Sequence, residues 1–114
     1  MITLQDLIDI NSSICEDCNQ QSIIINRNNL LSALSIQQWY DNDALLAAAL
    51  ARSLTIGHGF ADGNKRTAAV IAMLVKDFEC SEDEMIECIL DIAKGNLREV
   101  NDIAHILYPD SFGG

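Results

Sequence analysis

The sequence predicts an all-α fold, in which about six helices pack into a compact bundle that spans residues 1–114 as a single domain. Hydrophobic residues make up 49% of the chain, which is enough apolar material for one core. Aromatic residues make up only 5%, and alanine, leucine and isoleucine dominate, which favours helix packing over a sheet. One proline and six glycines leave long stretches without helix-breaking residues.

The N-terminal part of the chain predicts two helices. The first begins at Thr3, which Asp6 follows with the spacing of a helix cap. Its apolar face comprises Leu4, Leu7, Ile8, Ile10 and Ile14. The polar residues 15–21 predict a loop, and residues 22–29 are ambiguous because β-branched isoleucines precede a run of asparagines. A short helix that starts near Asn28 or Asn29 then carries Leu30, Leu31 and Leu34.

Two central helices are expected next. The first runs from about Asp43 to Ile56 and is capped by Asp41 or Asn42. Because it is hydrophobic on nearly all sides, it belongs in the centre of the domain, and Gly57 is a natural end for it. The second runs over residues 64–78 and is rich in small residues, which would let the two helices approach closely.

The C-terminal part predicts two more helices. Ser81 and Glu84 form a capping box, and the helix that they open ends at Gly95. Its apolar face comprises Met85, Ile86, Ile89, Leu90 and Ala93. A last helix is expected over residues 97–107, followed by a frayed tail from Pro109 onward.

The charge balance limits the possible partners. The chain carries 17 acidic and 7 basic residues, for a formal net charge of −10. Such a surface repels nucleic-acid phosphates and anionic lipid headgroups, so we expect neither as a partner. The start of the chain shows no basic and apolar signal pattern, and no apolar run is long enough to span a bilayer. We therefore expect a cytoplasmic protein that binds other proteins or metal-neutralised ligands.

The four cysteines leave alternatives open. Cys15 and Cys18 form a C-x-x-C pair, which suits a redox pair or half of a zinc site. Cys80 and Cys88 lie too far apart along the chain to complete such a site with usual ligand spacing. Free thiols in a reducing compartment are the favoured interpretation.

The chemistry of the chain is concentrated between the two central helices. Residues 58–68 read HGFADGNKRTA. The start of a helix presents unpaired backbone N–H groups and a positive dipole end, which together suit an anion. Gly63 lets the backbone approach a ligand, and Asn64 can cap the helix or hydrogen-bond a phosphate oxygen. Lys65 and Arg66 supply charge and donors to phosphates.

Two further side chains add a metal ligand and a base. Asp62, next to bound phosphates, suits Mg²⁺, which takes a carboxylate and completes its octahedron with waters. His58 suits taking a proton from an attacking hydroxyl, because imidazole titrates near neutral pH. Phe60, between them, is expected to pack inward. Each residue alone has a structural explanation as a cap, a turn or a solvated charge, but their combined order predicts phosphoryl transfer.

These eleven residues resemble the signature of the Fic-domain family, H-x-F-x-[D/E]-G-N-x-R. The ending Asn-Lys-Arg-Thr-Ala resembles the Doc (death-on-curing) toxin branch in particular. The resemblance implies a fold of six or seven helices with the motif loop between two central ones. It also implies that His58 is the general base and that Asp62 binds Mg²⁺. Finally, it implies that the phosphates of ATP are held by the loop backbone with Gly63, Asn64, Lys65 and Arg66.

The resemblance leaves two enzymatic activities open. Most family members transfer AMP to a protein hydroxyl, and they carry glycine in place of Lys65 and a second arginine in place of Ala69. The Doc branch shares both departures, and its nucleotide is thought to present the γ-phosphate. We therefore expect a phosphotransferase of toxin or phage-effector type that moves the γ-phosphate of ATP to a target protein, with a translation factor as the candidate target. AMP transfer is the first alternative, and a non-catalytic helical binding or regulatory module is the second.

The resemblance also bears on target binding and regulation. A flap that aligns the target by strand-like pairing is expected near residues 32–39. Trp39 and Tyr40 would either anchor that flap or cap the core, and we favour the core. Ser12 and Glu16 nearly match a self-inhibitory pattern of the family, but the pattern is loose and self-inhibition is not expected. A separate antitoxin is the other possible restraint, and it would need an exposed apolar groove.

Overall fold

The computed structural model describes residues 1–112 and contains six α-helices within them. They are α1 (Leu4–Asp17), α2 (Arg27–Ser35), α3 (Asp43–Gly57), α4 (Asn64–Val75), α5 (Glu82–Lys94) and α6 (Val100–Leu107). Two 3₁₀ turns lie at Ile36–Gln38 and Pro109–Phe112. These residues contain no strand, and a single antiparallel bridge joins Ile24 to Phe60. The predicted all-α bundle is confirmed.

Helix α3 lies at the centre of the bundle, as its apolar composition predicts. Asn42 caps it, because its Oδ1 accepts a hydrogen bond of 3.0 Å from the N–H of Leu45. One face of α3 packs into a core cluster with α5 and α6, and another packs into a cluster with α1, α2 and α4. Its fully buried residues are Ala44, Ala47, Ala48, Ala49, Leu50, Ala51, Leu54 and Thr55.

Helix α4 is the element that α3 contacts most extensively. Small side chains, among them Ala48 and Ala51 on α3 and Ala68 and Ala72 on α4, are fully buried in the two core clusters. Alanine at such positions leaves room for the backbones to come close, and this packing gives the loop between the two helices a rigid base.

The predicted caps at Thr3, Ser81 and Gly95 are confirmed. Thr3 and Ser81 each form a capping box with the residue three positions on, and Gly95 ends α5 with a φ of +80°. Only glycine adopts that backbone conformation without a steric penalty, so its position defines the end of the helix.

The N-terminal elements differ from the prediction in their limits. Helix α1 continues to Asp17, so the expected loop over residues 15–21 is wrong for its first three residues. Helix α2 begins at Arg27, earlier than predicted, because Asn26 caps it through the N–H of Asn29. Leu31 is exposed, and Ala33 takes the buried position on that helix beside Leu30.

The C-terminal elements also differ. Helix α4 ends at Val75 instead of 78, and α6 begins at Val100 instead of 97. On α5 the buried residues are Cys88, Ile89 and Ile92, whereas Ile86 and Leu90 are exposed. The predicted apolar face is therefore partly wrong, because α5 contacts α3, α4 and α6 and leaves Ile86 and Leu90 exposed.

The expected frayed tail is ordered as far as Phe112. The N–H and hydroxyl of Ser111 both donate hydrogen bonds of 3.0 Å to the carboxylate of Glu79, and Phe112 stacks on His105 with ring centroids 4.3 Å apart. The final Gly113 and Gly114 lie outside the described residues.

Two expectations for residues 32–40 are wrong. The predicted flap over residues 32–39 is the end of α2 and a 3₁₀ turn, and the extended segment lies instead at residues 23–25. Trp39 does not cap the core, because 74% of its side chain is exposed, whereas Tyr40 is half-buried. The sequence position of an aromatic residue in a turn does not show whether its side chain will face the core or the solvent. No helix within residues 1–112 is long and apolar enough to cross a membrane.

Candidate active site

His58 ends α3 in a left-handed backbone conformation. Its φ is +47° and its ψ is +48°, so the residue that reverses the chain is the histidine and not the predicted Gly57, which is the last residue of the helix. Non-glycine residues seldom adopt this conformation, although histidine does so more readily than most. The turn leaves the imidazole exposed at the end of the central helix.

The extended segment at residues 23–25 supports the loop that follows. The N–H groups of Ile25 and Asn26 donate to the carbonyl of Gly59 over 2.8 and 3.0 Å, and the N–H of Ala61 donates to the carbonyl of Ile23 over 2.8 Å. A side chain at Gly59 would overlap Leu30, so glycine is needed for this close approach. The loop is therefore held along its backbone by a segment that is distant in sequence.

Phe60 and Asn64 fix the loop from inside. Phe60 packs inward as predicted and is only 1% exposed. Its N–H donates to Oδ1 of Asn64 over 3.1 Å, and its carbonyl accepts from Nδ2 of Asn64 over 2.8 Å. The Asn64 amide thus closes the turn between His58 and α4, and one of its N–H groups is left for a ligand.

The buried side chain of Asn11 on α1 forms hydrogen bonds to several segments around the loop. Its Nδ2 donates to the carbonyl of Asp62 over 2.8 Å and to the hydroxyl of Thr67 over 3.2 Å. Its Oδ1 accepts from the hydroxyl of Ser22 over 2.6 Å. Asn11 therefore connects α1, the metal-binding candidate Asp62, the first turn of α4 and the start of the extended segment.

Gly63 is the N-cap of α4 and brings the backbone close to Asn11. Its φ is +77°, and a Cβ added there would lie 3.0 Å from Nδ2 of Asn11. Because the N-cap residue is a glycine, no N-cap side chain accepts a hydrogen bond from the first N–H groups of α4. Lys65 and Arg66 follow, both exposed.

The structure brings all six predicted site residues to one cleft of about 350 Å³. Its walls comprise Thr55, His58, Ala61, Asp62, Gly63, Asn64, Lys65, Arg66 and Ala93. The predicted base, carboxylate, cations and helix start therefore share one open space. An imidazole next to two cations and a helix N-terminus is a combination that suits a proton acceptor beside a phosphate-bearing ligand.

The cations in the cleft are not engaged by carboxylates. In the part of the chain that the structure describes, the one ion pair is Lys76 with Glu79, at 3.4 Å. Nη1 of Arg66 instead donates to Sγ of Cys18 over 3.3 Å. Glu16, the residue of the self-inhibitory pattern, is exposed in the last turn of α1 and forms no ion pair with either cation.

The C-x-x-C pair lies against the same loop. All four cysteines carry free thiols. Sγ of Cys15 lies 3.5 Å from Oδ1 of Asn11 and 3.9 Å from the carbonyl oxygen of Asp62. Burial, the charge of Asp62 and the neighbouring Cys18 together raise the pKa of the Cys15 thiol. The end of α1 therefore packs against residues that line the cleft.

Sequence reasoning missed three residues of this region. Asn11 and Thr67 act through contacts that join distant parts of the chain, and no local spacing indicates them. Thr55 lines the cleft, is 1% exposed, and its hydroxyl has no hydrogen-bond partner among the described residues. Its position three residues before His58, on the same side of the helix, is a signal that could have identified it.

The residues present fit a magnesium ion that arrives with a nucleotide. No group of three or more histidine, cysteine, aspartate or glutamate side chains in residues 1–112 could hold a metal alone. Asp62 offers a single exposed carboxylate in the cleft beside Lys65 and Arg66. Mg²⁺ is commonly bound by one or two carboxylates together with substrate phosphates and water, which this arrangement matches.

Comparisons with known proteins identify a family. The model of the Fic/DOC family matches residues 1–75, which include α1 to α4 and the whole motif loop. Members of this family generally transfer part of a nucleotide in order to modify proteins, and they typically use Mg²⁺. No curated protein and no solved structure matches the chain.

Proposed function

The chain belongs to the Fic/DOC family, and on that basis we propose that it is a Doc-like protein phosphotransferase. It moves the γ-phosphate of ATP to a hydroxyl of a target protein, as a toxin or phage effector would. The observation that supports this most strongly is the single cleft that holds His58, Asp62 and the cationic start of α4.

His58 acts as the general base in this proposal. Its imidazole is exposed in the cleft, so a target hydroxyl can reach it, and it accepts the proton as the oxygen attacks phosphorus. Gly63, Asn64, Lys65 and Arg66 hold the phosphates through backbone N–H groups, one amide N–H and two charges. The hydrogen bonds from Asn11 and residues 23–25 hold the loop, and with it these donors, in place before the substrate arrives. This lowers the entropic cost of ordering the donors around the phosphates.

Asp62 holds Mg²⁺ in this proposal. When bound, the ion neutralises phosphate charge and stabilises the charge that develops on the transferred group. The hydrogen bond from Asn11 to the Asp62 carbonyl fixes the backbone from which the carboxylate projects.

The preference for phosphate over AMP transfer depends on Lys65 and Ala69. Lys65 lines the cleft where the AMP-transferring members carry glycine, so its side chain occupies space next to the phosphates. Ala69 lies one turn further along α4, on the wall of an apolar groove, and brings no second arginine to the outer phosphate. AMP transfer to a protein hydroxyl is the competing activity.

A target segment can pair with the extended residues 23–25. In an antiparallel pair, successive backbone groups point to opposite sides, so the N–H and carbonyl of Ile24 face away from the motif loop. Ile23 and Ile25 flank them with 49% and 62% of their side chains exposed. An added strand would lie within reach of His58, and such pairing selects an extended shape more than a particular sequence.

The deciding experiment uses ATP labelled at either the α- or the γ-phosphate. The purified chain is incubated with each nucleotide, Mg²⁺ and host-cell proteins, including translation factors, and His58→Asn serves as the blank. We expect γ-label on protein. Transfer of α-label would establish AMP transfer instead, and the absence of any label would favour a non-catalytic binding module.

The metal role of Asp62 gives a separate prediction. Asp62→Ala and chelation of Mg²⁺ should each abolish transfer, since both remove the ion from the phosphates. The Asp62 side chain is exposed, and only its backbone carbonyl joins the hydrogen bonds of the loop, so Asp62→Ala should keep its melting temperature. Circular dichroism on heating provides that control, and unfolding of the variant at ambient temperature would assign Asp62 a structural role.

Restraint by a separate antitoxin is also part of the proposal. An apolar groove of about 460 Å³ between α4 and α5 opens beside Lys65 and Arg66, and Val70, Ile86 and Leu90 line it. If expression of the chain is toxic, a candidate antitoxin that neutralises it should fail against Ile86→Glu, a variant that keeps its transfer activity. Neutralisation of both forms would place the antitoxin elsewhere.

A further inference from the structure

Cys15 and Cys18 have the spacing that a disulfide requires. Cys15 lies in the last turn of α1 and Cys18 is the first residue after it. The N–H of Cys18 donates to the carbonyl of Cys15 over 3.1 Å, which closes a turn of four residues. The ends of such a turn lie within about 7 Å of each other. A disulfide joins Cα atoms about 4.4–6.8 Å apart, so the turn brings the two residues into range.

Each of the two sulfurs contacts a different part of the candidate site. Sγ of Cys18 accepts the hydrogen bond from Nη1 of Arg66, and Sγ of Cys15 lies near the carbonyl of Asp62 and the amide of Asn11. Arg66 forms no ion pair within the described chain, so the Cys18 sulfur is the side-chain acceptor that orients its guanidinium.

We propose that Cys15 and Cys18 form a thiol–disulfide modification site whose oxidation releases Arg66 and weakens polyphosphate binding. The inference rests on the proposed function in one respect, namely that Arg66 is a phosphate ligand. Small disulfides such as oxidised glutathione are the class of co-reactant.

The reaction follows from the exposure of the two thiols. Cys18 is exposed, whereas Cys15 is 2% exposed, so a small disulfide meets Cys18 first. The Cys18 thiolate attacks one sulfur of the disulfide, forms a mixed disulfide and releases one thiolate. The Cys15 thiol then gives its proton to the thiolate just released and attacks the Cys18 sulfur, which releases the second thiolate. Two cysteine thiols are oxidised, and the small disulfide is reduced to two thiols.

Oxidation changes the surroundings of Arg66 because a disulfide bond requires both sulfurs to turn toward each other. We expect Sγ of Cys18 to move away from Arg66, and Sγ of Cys15 to lose the contacts that its thiol makes with the Asp62 carbonyl and Asn11. The guanidinium then has to be ordered by the phosphate itself. Ordering one flexible side chain weakens binding by about threefold to tenfold, so we expect a loss of affinity of that size.

The chain contains its own control cysteines. Cys80 and Cys88 lie away from the cleft, and Cys88 is buried in the core beside α6. Burial raises the pKa of the Cys88 thiol to about 12, and this thiol contacts neither Arg66 nor the Asp62 carbonyl. Cys80→Ser should therefore leave the reaction of Cys15 with Cys18 unchanged, whereas Cys18→Ser should abolish it.

The first test identifies the disulfide without any nucleotide. The purified chain is equilibrated in buffers of oxidised and reduced glutathione, and its peptides are mapped by mass spectrometry. We expect a Cys15–Cys18 linkage in the wild-type chain and in Cys80→Ser, reversed by dithiothreitol. Absence of this linkage in fully oxidised glutathione would overturn the proposal.

The second test measures Arg66 directly. Its Nε–Hε resonance, assigned with Arg66→Lys, should shift when the disulfide forms, and an unchanged resonance would overturn the proposal. Affinity for inorganic tripolyphosphate with Mg²⁺ should fall about threefold to tenfold on oxidation of the wild type. It should not respond to oxidant in a double Cys15→Ser/Cys18→Ser variant. Equal affinity of oxidised and reduced wild type would also contradict the proposal. If the reduced chain binds no tripolyphosphate, the proposed function fails, and the Arg66 resonance still decides this inference.

Discussion

His58 occupies a left-handed backbone position at the end of α3 and lines the cleft beside Asp62 and Lys65. The same residue therefore turns the chain and supplies the proposed base. A substitution there can act through the backbone or through the lost imidazole, and only a variant that tolerates a positive φ separates the two effects.

We predict that His58→Asn lowers the transfer rate by about 10²- to 10⁴-fold, which is the usual contribution of a general base. Asparagine accepts left-handed backbone angles, so the melting temperature should stay close to that of the wild type. Rates measured with labelled ATP test this prediction. His105→Asn, at an exposed position on α6, is the matched control and should keep full activity. A rate above a tenth of wild type for His58→Asn would mean that another group accepts the proton.

At the scale of elements, α1 supports the motif loop although it is about forty residues away along the chain. Asn11 fixes the Asp62 carbonyl and Thr67, and Cys15 and Cys18 close the wall behind them. The extended residues 23–25 follow directly and pair with the loop. The N-terminal segment that comprises α1 and residues 23–25 therefore contacts the loop at two different places.

We predict that Asn11→Ala lowers the free energy of unfolding by about 1–3 kcal/mol, because it leaves the Asp62 carbonyl without its buried donor. It should also reduce transfer, since the loop loses its fixed position. Urea unfolding and labelled-ATP rates measure the two effects. Ser13→Ala, exposed on the same helix, should change neither quantity. A stable and fully active Asn11→Ala would show that the loop holds its shape without α1.

The C-terminal turn is attached to the segment after α4 through Glu79. Burial tends to raise the pKa of this carboxyl, but hydrogen bonds from Ser111 and the charge of Lys76 outweigh it and lower the pKa overall. A lowered pKa in the folded state means that the carboxylate stabilises the fold above its unfolded pKa. This stabilisation is lost as the pH falls through the folded value.

We therefore predict that Glu79→Gln is less stable than the wild type at pH 7 and that the difference shrinks as the pH falls below about 4. Urea unfolding between pH 3 and pH 7 measures the difference. Glu87→Gln, at an exposed position on α5, should show no such convergence. A difference that stays constant across this range would mean that the carboxylate charge does not hold the turn.

At the scale of the whole molecule, α3 divides the core into two clusters, and alanines on α3 and α4 let the central helices meet. The cleft lies at one end of this helix pair. The distance between α3 and α4 therefore sets the distance between the two ends of the loop that connects them. A change in core volume should therefore affect both stability and catalysis.

We predict that Ala48→Leu destabilises the fold by about 1–3 kcal/mol, because the fully buried site has no room for a larger side chain. The transfer rate should fall as well, since the displaced helices move the loop. Thermal unfolding and labelled-ATP rates provide the test. Glu87→Leu adds a leucine at an exposed helical position and should have little effect. Normal stability of Ala48→Leu would indicate a loosely packed centre.

Local patterns predicted much of this molecule from sequence. The caps at Thr3, Asn42, Ser81 and Gly95 lie where their spacing indicated, because capping depends on residues three or four positions apart. The buried α3 followed from its all-round apolar surface. The limits of α2, α4 and α6 were less accurate, since tertiary contacts decide how far each helix continues.

The sequence by itself determined the family motif at residues 58–68, the helical class and the central position of α3, because each is encoded in neighbouring residues. Only the tertiary structure decided that Asn11, Cys18 and residues 23–25 meet at the loop. It also decided that Trp39 faces solvent. These contacts join residues far apart in the chain, and their geometry depends on how the helices pack, which no local spacing records.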